Sequence, residues 1–365
     1  MSLGDAVVAV VLLLIIINIC GTGRLTVYRI MKPYMVFIIY LLVLTIIQAV
    51  FPLSFLSLYG SPKEAFLQCA KLVIGVVWCM AIVFLLEGLI IQKVVLFLTV
   101  SILTSTAIAT YTIYESFVVG VLRPSATFEN PNLLGEYLFL NVAMCFIIAR
   151  LSPRRNIFSF LPIPLLFGGI LGTASRSALL AAMLIIILSA VDWRNTRKVF
   201  SAVLKIALSA ISVGYLLYTS NAYVITRLTR TENVDNGRFE LWKTALKAIS
   251  EYTLTGIGLA QFTHFLKSRM SDVLQMPHNI YLTYFAETGV VGGVLFIAVF
   301  ASVLKAAWNF YRQNKQLYAQ TVFILFISFA LQGCFGNFDS HRSFWVAFGL
   351  LIAMKSRYSI TNNAS

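Results

Sequence analysis

Charged side chains are scarce in this sequence: they make up 12% of its 365 residues, whereas hydrophobic residues make up 59%. A soluble globular domain carries about 25% charged residues, so a single soluble fold is excluded. The apolar residues form repeated runs of roughly 16 to 25 residues, and a helix needs about 20 such residues to cross a bilayer. The apolar–polar alternation of a transmembrane β-barrel is also missing. The sequence therefore predicts an all-α polytopic membrane protein.

Cysteine and histidine are also rare, and neither shows a metal-binding pattern. The five cysteines lie in or at the ends of apolar runs, with no CxxC motif and no neighbouring histidine, which is typical of small buried hydrophobic residues rather than disulfides. The three histidines have no ligand spacing, and P-loop and GxSxG motifs are absent. We predict no metal and no cofactor. The N-terminus lacks the basic region and cleavage site of a signal peptide, so we interpret the first apolar run as a retained span.

Acidic residues are outnumbered two to one, 14 against 28 Lys and Arg, which gives a net charge of +14. The basic residues concentrate in short connectors on one side of the predicted spans, as the positive-inside rule describes for cytoplasmic connectors. This distribution explains the charge without nucleic-acid binding, which we do not predict. The connectors contain Arg24, Arg29, Lys32, Lys93, Arg150, Arg154, Arg155, Arg194, Arg197, Lys198, Lys305, Arg312, Lys315, Lys355 and Arg357.

The apolar runs and basic connectors together predict about eleven transmembrane helices (11–12), with the N-terminus outside and the C-terminus in the cytoplasm. Residues 1–219 contain helices one to eight. Residues 220–285 form a large external loop, and residues 286–365 contain helices nine to eleven and a cytoplasmic tail. The predicted spans are 5–20, 34–51, 65–86, 94–115, 133–149, 157–172, 176–191, 199–219, 286–304, 317–335 and 343–354.

The external loop is unusually long for a connection between helices, which points to a functional role. Within it, residues 238–249 have helical periodicity, and Phe239, Trp242, Leu246 and Ile249 share one face. An apolar face with lysines opposite predicts an amphipathic helix at the lipid interface. Spans six and seven are short, so their junction at residues 172–177 is expected below the outer surface.

Several short motifs stand in order along the chain. They are Asn130-Pro131-Asn132, Ser175-Arg176-Ser177, Gly237-Arg238 followed by Trp242, Gly256-Ile257-Gly258, and His278-Asn279 followed by Glu287, Gly289 and Gly292. In this order and spacing they resemble the bacterial O-antigen ligase family, which includes related polysaccharide polymerases.

The resemblance implies a GT-C-like, metal-independent, inverting glycosyltransferase of the bacterial inner membrane, with its active site on the periplasmic side. Its donor would be a glycan linked to undecaprenyl diphosphate, and its acceptor the lipid A–core, so the external loop would be periplasmic. Membrane lipids are the remaining expected partners. A repeat-unit polymerase, which uses the same donors and a growing glycan as acceptor, is the alternative. A lipid-linked glycan transporter is less favoured, because ionisable residues here gather at one membrane face rather than near the midplane.

Three residues are the main site candidates. A diphosphate leaving group develops negative charge that guanidinium groups bind well, and we assign Arg176 and Arg238 to it. An acceptor hydroxyl needs a base that titrates near neutrality, which predicts His278 as the general base. The alternatives are a snorkelling helix-end anchor for Arg176, a solvated helix start for Arg238 and a helix cap for His278.

Five other residues are predicted to support the site: Arg123, Asn132, Asn279, Glu287 and His341. Glu287 follows His278 by nine residues, which places the two on opposite faces of a continuous helix, so we favour a structural role for Glu287, such as pairing with an arginine. His341 lies close to Asp339 and Arg342 and forms a weaker second site. Gly289 and Gly293 form a GxxxG pattern, which favours close helix packing.

Overall fold

The computed structural model describes residues 25–50, 62–87, 91–151, 159–191, 237–269 and 275–363, and eleven helices account for most of them. The predicted spans 5–20 and 199–219 lie outside the described residues. The helices are α1 Leu25–Val50, α2 Pro62–Glu87, α3 Ile91–Phe117, α4 Pro131–Leu151, α5 Pro162–Gly172, α6 Arg176–Ala190, α7 Arg238–Glu251, α8 Phe262–Arg269, α9 Ile280–Asn314, α10 Leu317–Gly333 and α11 Arg342–Asn363.

Five of the described helices are long and apolar enough to cross a membrane: α1 from Ile30, α2 to Leu86, α3, α4 and α9. Helices α5, α6 and α10 are apolar but shorter. The all-helical, polytopic architecture is therefore confirmed, whereas eleven or twelve spans and a GT-C arrangement stay predictions. Helices α5 and α6 reach about 17 Å and about 23 Å at 1.5 Å per residue, less than the roughly 30 Å hydrocarbon core.

The chain divides into two compact units. The first unit contains α1, α2, α7, α8, the part of α9 up to Ala306, and α11. Helices α2 and α11 pack side by side in it. Aromatic side chains fill the contact between α1 and α11: Tyr34 lies edge-on to Trp345, with ring centroids 4.9 Å apart. The long polar segment after residue 236 thus folds together with membrane helices.

The second unit contains α3, α4, α5, α6, most of α10 and the end of α9. Helix α4 is its centre, with nearly every residue from Leu134 to Ala149 buried. Gly169 allows α5 to approach α3 closely, since a Cβ there would lie 2.8 Å from that of Ala109. At the predicted cytoplasmic end, Arg150 donates hydrogen bonds to Leu317 O and Thr321 Oγ1 of α10, each 2.8 Å long.

Helix α9 starts earlier than the predicted span 286–304 and contains a break. Asn279 begins the helix by accepting a 3.1 Å hydrogen bond from the Leu282 amide through its side-chain oxygen, which is a typical N-cap. Gly289 then leaves helical geometry, with φ 68° and ψ −175°. The first two turns of α9 are therefore a separate segment, which the sequence periodicity assigned to the polar loop.

Candidate functional site

Helix α7 brings Arg238 to the start of the folded part of the loop. Gly237 precedes it with a φ of 73°, a left-handed conformation that glycine adopts at little cost. The helix then runs to Glu251, as predicted from its periodicity. The described part of the polar segment thus begins with a tight turn and a partly exposed arginine.

The face that α7 buries differs from the predicted apolar face. Leu241, Ala245 and Ala248 are buried against α8 and the start of α9, while Phe239 and Leu246 are each 56% exposed. The sequence did not indicate this second, buried face, because alanine is a weak signal of packing. The exposed Phe239 and Leu246 still present an apolar strip beside the buried face, which is the pattern of an interfacial helix.

His278 lies in the short turn between Pro277 and Asn279. Its backbone is left-handed, with a φ of 51°, a conformation that is uncommon for residues other than glycine. The indole Nε1–H of Trp242 donates a 2.9 Å hydrogen bond to the Pro277 carbonyl and ties the turn to α7. Asn279 performs the helix-cap role that was the alternative for His278, so the imidazole is available for other contacts.

The structure brings His278 into electrostatic contact with Arg238. The pKa of His278 is lowered from its ordinary value of 6.5, first by burial and second by the positive charge of Arg238. Both effects disfavour the imidazolium form. The imidazole is therefore neutral at pH 7 and able to accept a proton.

Glu287 anchors the loop to α9. Its buried carboxylate accepts hydrogen bonds from the backbone amides of Ala260, at 2.8 Å, and Phe262, at 3.2 Å. Among the described residues its partners are thus backbone amides at the start of α8, not the guanidinium group suggested from the sequence. An acceptor at a helix N-terminus is favourable because it satisfies amides that the helix leaves open.

Backbone pairing strengthens the same junction. The amides of Ile257 and Gly258 donate to the carbonyls of Ala286 and Glu287, both at 3.0 Å, and the Val290 amide donates to Thr253 O at 2.8 Å. Gly289 makes this approach possible, because a Cβ there would collide with the Leu254 carbonyl. Gly289 therefore serves a contact between backbones rather than the GxxxG helix packing that the sequence suggested.

The loop between α10 and α11 holds Asp339 and His341. Asp339 is buried and accepts a 2.6 Å hydrogen bond from Tyr284 Oη of α9. Burial raises the pKa of Asp339, while the Tyr284 hydrogen bond and the nearby His341 act in the opposite direction. The sequence named Asp339 only as a neighbour of His341; its role as a buried partner of α9 has no local sequence signal.

In the second unit, Arg176 is the first residue of α6, directly after the N-cap residue Ser175. Arg176 is partly exposed, whereas Ser175 is buried. Arg123 and Asn132 meet at the entry to α4, where Arg123 Nη2 lies 3.4 Å from Asn132 Oδ1. The entry to α4 and the start of α6 therefore each carry one of the predicted arginines.

One buried pair of the second unit escaped the sequence analysis. The Nε2 of Gln332 donates a 2.9 Å hydrogen bond to a carboxylate oxygen of Glu136, and both side chains are buried. The sequence feature that could have revealed this pair is Glu136 itself, an acidic residue within an apolar span. Such residues seldom lie in a membrane helix without a role. No group of three His, Cys, Asp or Glu side chains within the described ranges could hold a metal ion.

Comparison with known proteins agrees with the motifs. Residues 161–297 match a family model described as O-antigen ligase. A protein named O-antigen ligase from Pseudomonas aeruginosa is 31% identical over 170 residues, which cover 44% of this chain and 38% of that protein. The chain thus spans well under two thirds of that relative's length. The matched family region contains Arg176, Arg238 and His278, and the two matches confirm the predicted resemblance of this chain to the O-antigen ligase family.

Proposed function

We propose that this protein is an O-antigen ligase, which transfers a glycan from undecaprenyl diphosphate to a sugar of the lipid A–core with inversion at the anomeric carbon. The observation that carries this proposal is the turn at His278. It holds an imidazole whose pKa is lowered by burial and by Arg238, beside a charge suited to a phosphate. The transfer needs a base for the acceptor hydroxyl and a positive charge for the diphosphate leaving group, and His278 and Arg238 are suited to these two roles.

The reaction requires one bond to form while another breaks. In the proposed mechanism, His278 accepts the proton of the acceptor hydroxyl as that oxygen attacks the anomeric carbon of the donor glycan. The bond between the anomeric carbon and the diphosphate oxygen breaks, and its electron pair leaves with undecaprenyl diphosphate. Arg238 stabilises the charge that develops on the leaving group. The imidazolium then releases its proton to solvent.

Arg176 is proposed as the second ligand of the diphosphate. Arg176→Ala should reduce transfer by roughly 10²–10³-fold, the effect of losing one donor to a developing anion. Arg176→Lys should recover part of the rate, because lysine keeps the charge but lacks the planar guanidinium fork. The same pair of substitutions at Arg238 should behave alike. Normal turnover of both alanine variants would remove the arginines from the mechanism.

The location of the reaction follows from the apolar strip on α7. Phe239 and Leu246 are exposed and suit the boundary between lipid tails and headgroups, where a lipid-linked donor presents its diphosphate. We propose that this boundary is the periplasmic one. Cysteine substitutions at residues 237–269, in a background lacking native cysteines, should react with an impermeant maleimide when only the outer membrane is permeabilised. Labelling only after inner-membrane lysis would reverse the orientation.

The lipopolysaccharide profile of a deletion strain tests the function. Loss of a ligase leaves full-length polymer on the lipid carrier and bare core, whereas loss of a polymerase leaves core bearing a single repeat. A plasmid with His278→Ala should fail to restore the profile. His264→Ala is the matched control, since the His264 imidazole pairs with the Glu64 carboxylate, with Nε2 and Oε2 2.7 Å apart, and has no proposed role in transfer. Transfer by the purified protein should persist in the presence of chelators.

A further inference from the structure

Two basic side chains lie exposed at a helix that is able to cross a membrane. Lys71 belongs to α2, which is long and apolar enough for a span from Pro62 to Leu86, and it follows Pro62 by nine residues, or about 13 Å along the helix axis. Arg342 is the first residue of α11. Both residues are exposed. Charged side chains are rare in membrane helices, where they usually pair with another group and mark a functional site.

Helix packing brings the two cations to the same face of the first unit. Helices α2 and α11 lie side by side, and they approach closely at Gly75, where a Cβ would overlap the indole of Trp345. The guanidinium carbon of Arg342 lies 5.6 Å from the centroid of the Trp78 ring, which is within the range of a cation–π contact. Lys71 precedes Trp78 by seven residues, about two helical turns, so these two side chains share one stripe of α2. Lys71, Trp78 and Arg342 form what we call the α2–α11 basic face.

The acidic residues nearest in sequence to this face are engaged elsewhere. Glu64 lies on the same stripe, seven residues before Lys71, but its carboxylate pairs with His264 at 2.7 Å. Asp339 precedes Arg342 by three residues, but it is buried and accepts a hydrogen bond from α9. Among the described residues, no carboxylate forms a salt bridge with Lys71 or Arg342. The described part of the protein therefore leaves two positive charges on this face without a paired acid.

The same stripe continues as apolar surface beyond Trp78. Leu85 follows Trp78 by another seven residues and is 50% exposed, and its neighbour Phe84 is 59% exposed. A molecule aligned with α2 would meet a positive charge first, then an indole, and then aliphatic and aromatic carbon. Tryptophan is favoured at the level of lipid headgroups. This order matches a phospholipid, in which a charged phosphate is followed by a glycerol backbone and acyl chains.

We propose that the α2–α11 basic face is a binding site for an anionic phospholipid. The guanidinium group of Arg342 binds the phosphate through paired N–H donors, and Lys71 adds a point charge. An acyl chain lies along the stripe toward Leu85. The face carries two positive charges, so it favours phosphatidylglycerol over phosphatidylethanolamine, whose ammonium group it repels. This proposal does not depend on the proposed function.

The test is native mass spectrometry of the full-length protein, titrated in detergent with phosphatidylglycerol or phosphatidylethanolamine. Lys71→Gln and Arg342→Gln should each weaken the tightest phosphatidylglycerol site by about fivefold, the contribution of one basic residue near a lipid headgroup. The double variant should weaken it by roughly 25-fold. Arg342→Lys, which keeps the charge, should lose less than Arg342→Gln.

Lys305→Gln is the matched control. Lys305 is also an exposed lysine of a helix long enough to cross a membrane, α9, but it is not part of the basic face. Its loss should leave the tightest phosphatidylglycerol site unchanged. Bound lipid stabilises the folded state, so phosphatidylglycerol should also raise the unfolding temperature of the wild type more than that of the double variant.

The outcomes separate a specific phospholipid site from its alternatives. A loss of phosphatidylglycerol affinity in the Lys71 and Arg342 variants alone, with unchanged unfolding temperature in lipid-free detergent, supports the site. Equal retention of the two phospholipids by the wild type, or equal loss in Lys305→Gln, would reduce the face to general contact with lipid and contradict the proposal. A lowered unfolding temperature of the variants without lipid would assign the effect to the fold. If lipid A–core or free glycerol phosphate displaces phosphatidylglycerol from the wild type, the face belongs to that ligand and the phospholipid assignment is wrong.

Discussion

The indole Nε1–H of Trp242 donates a 2.9 Å hydrogen bond to the carbonyl oxygen of Pro277, the residue before His278. The bond joins the first turns of α7 to the turn that holds the proposed base. Because Arg238 lies one helical turn before Trp242, the same contact sets the arginine and the histidine relative to each other. A single side chain thus links the two groups that lie in electrostatic contact.

The first prediction concerns this bond. Trp242→Phe keeps an aromatic ring against Phe239, with which the indole packs at 5.8 Å, but it removes the N–H donor. A neutral hydrogen bond contributes about 0.5–1.5 kcal/mol, so turnover should fall by up to about tenfold through a looser His278 turn, with little change in unfolding temperature. Trp308→Phe, a substitution in the distant end of α9, is the control. Equal turnover by wild type and Trp242→Phe would show that the bond does not position the base.

The second prediction concerns the pH dependence of transfer. The base must be neutral to accept a proton, so the rate falls as the pH drops through the pKa of His278. Burial and Arg238 lower that pKa, so the acidic limb should lie below 6.5. The same shift makes folding less favourable as the pH falls below about 6.5, because the unfolded chain then binds the proton more readily.

Arg238 variants supply the control for this profile. Arg238→Gln removes the positive charge, so the acidic limb of its residual activity should move to higher pH, whereas Arg238→Lys should keep the limb low. The measurement is the pH–rate profile of each purified variant. An identical limb in all three proteins would contradict the electrostatic contact between Arg238 and His278.

The third prediction compares two left-handed glycines. Gly289→Ala should destabilise the protein strongly, because its φ of 68° and ψ of −175° belong to a region that is essentially restricted to glycine and its Cβ would strike the Leu254 carbonyl. Gly237→Ala should cost only about 1 kcal/mol of left-handed strain, since no heavy atom of the described residues lies within 4 Å of the added Cβ. Thermal unfolding of both variants tests the difference. Equal losses would show that the close approach at Gly289 does not matter.

The fourth prediction concerns the carboxylate of Glu287. Glu287→Gln leaves one oxygen for two backbone donors and turns an amide NH₂ toward one of them, which should cost about 1–3 kcal/mol. Limited proteolysis should then cleave residues 252–262 faster. Glu240→Gln is the matched control, because Glu240 is exposed and pairs with the exposed Lys243 at 2.7 Å, a type of contact worth at most about 1 kcal/mol. Similar proteolysis of both variants would contradict the anchoring role.

Sequence patterns predicted the helices of the fold well where the signal was local. Helix α7 was expected from its periodicity, whereas the start of α9 was missed, because the predicted span began only at residue 286 and the cap at Asn279 was not recognised. The buried face of α7 was missed because Ala245 and Ala248 resemble surface residues in any hydrophobicity pattern. The family resemblance, not the pattern, indicated the association of Arg238 with His278.

Contacts between distant segments were beyond prediction. Glu287 meets the amides of Ala260 and Phe262 across more than 20 residues, and Asp339 meets Tyr284 across 55. Each of these depends on how helices pack, and a single sequence carries no record of that. Gly289 is the clearest example. Its GxxxG spacing suggested helix packing, whereas its non-helical backbone allows a close approach to the Leu254 carbonyl of the loop.

The junction at Glu287 also decides where this protein can be cut. Leu241, Ala245, Ile257, Phe262 and Phe265 form one apolar cluster with Ala286 of α9, so the core of the polar loop is shared with the start of that helix. A chimera that exchanges residues 237–279 between relatives would separate the loop from Ala286 and from the Glu287 carboxyl group. An exchange that extends through Gly292 would also carry the anchoring Glu287, the helix break at Gly289 and the N-cap Asn279. The loop can therefore be exchanged as a structural unit only within these wider limits.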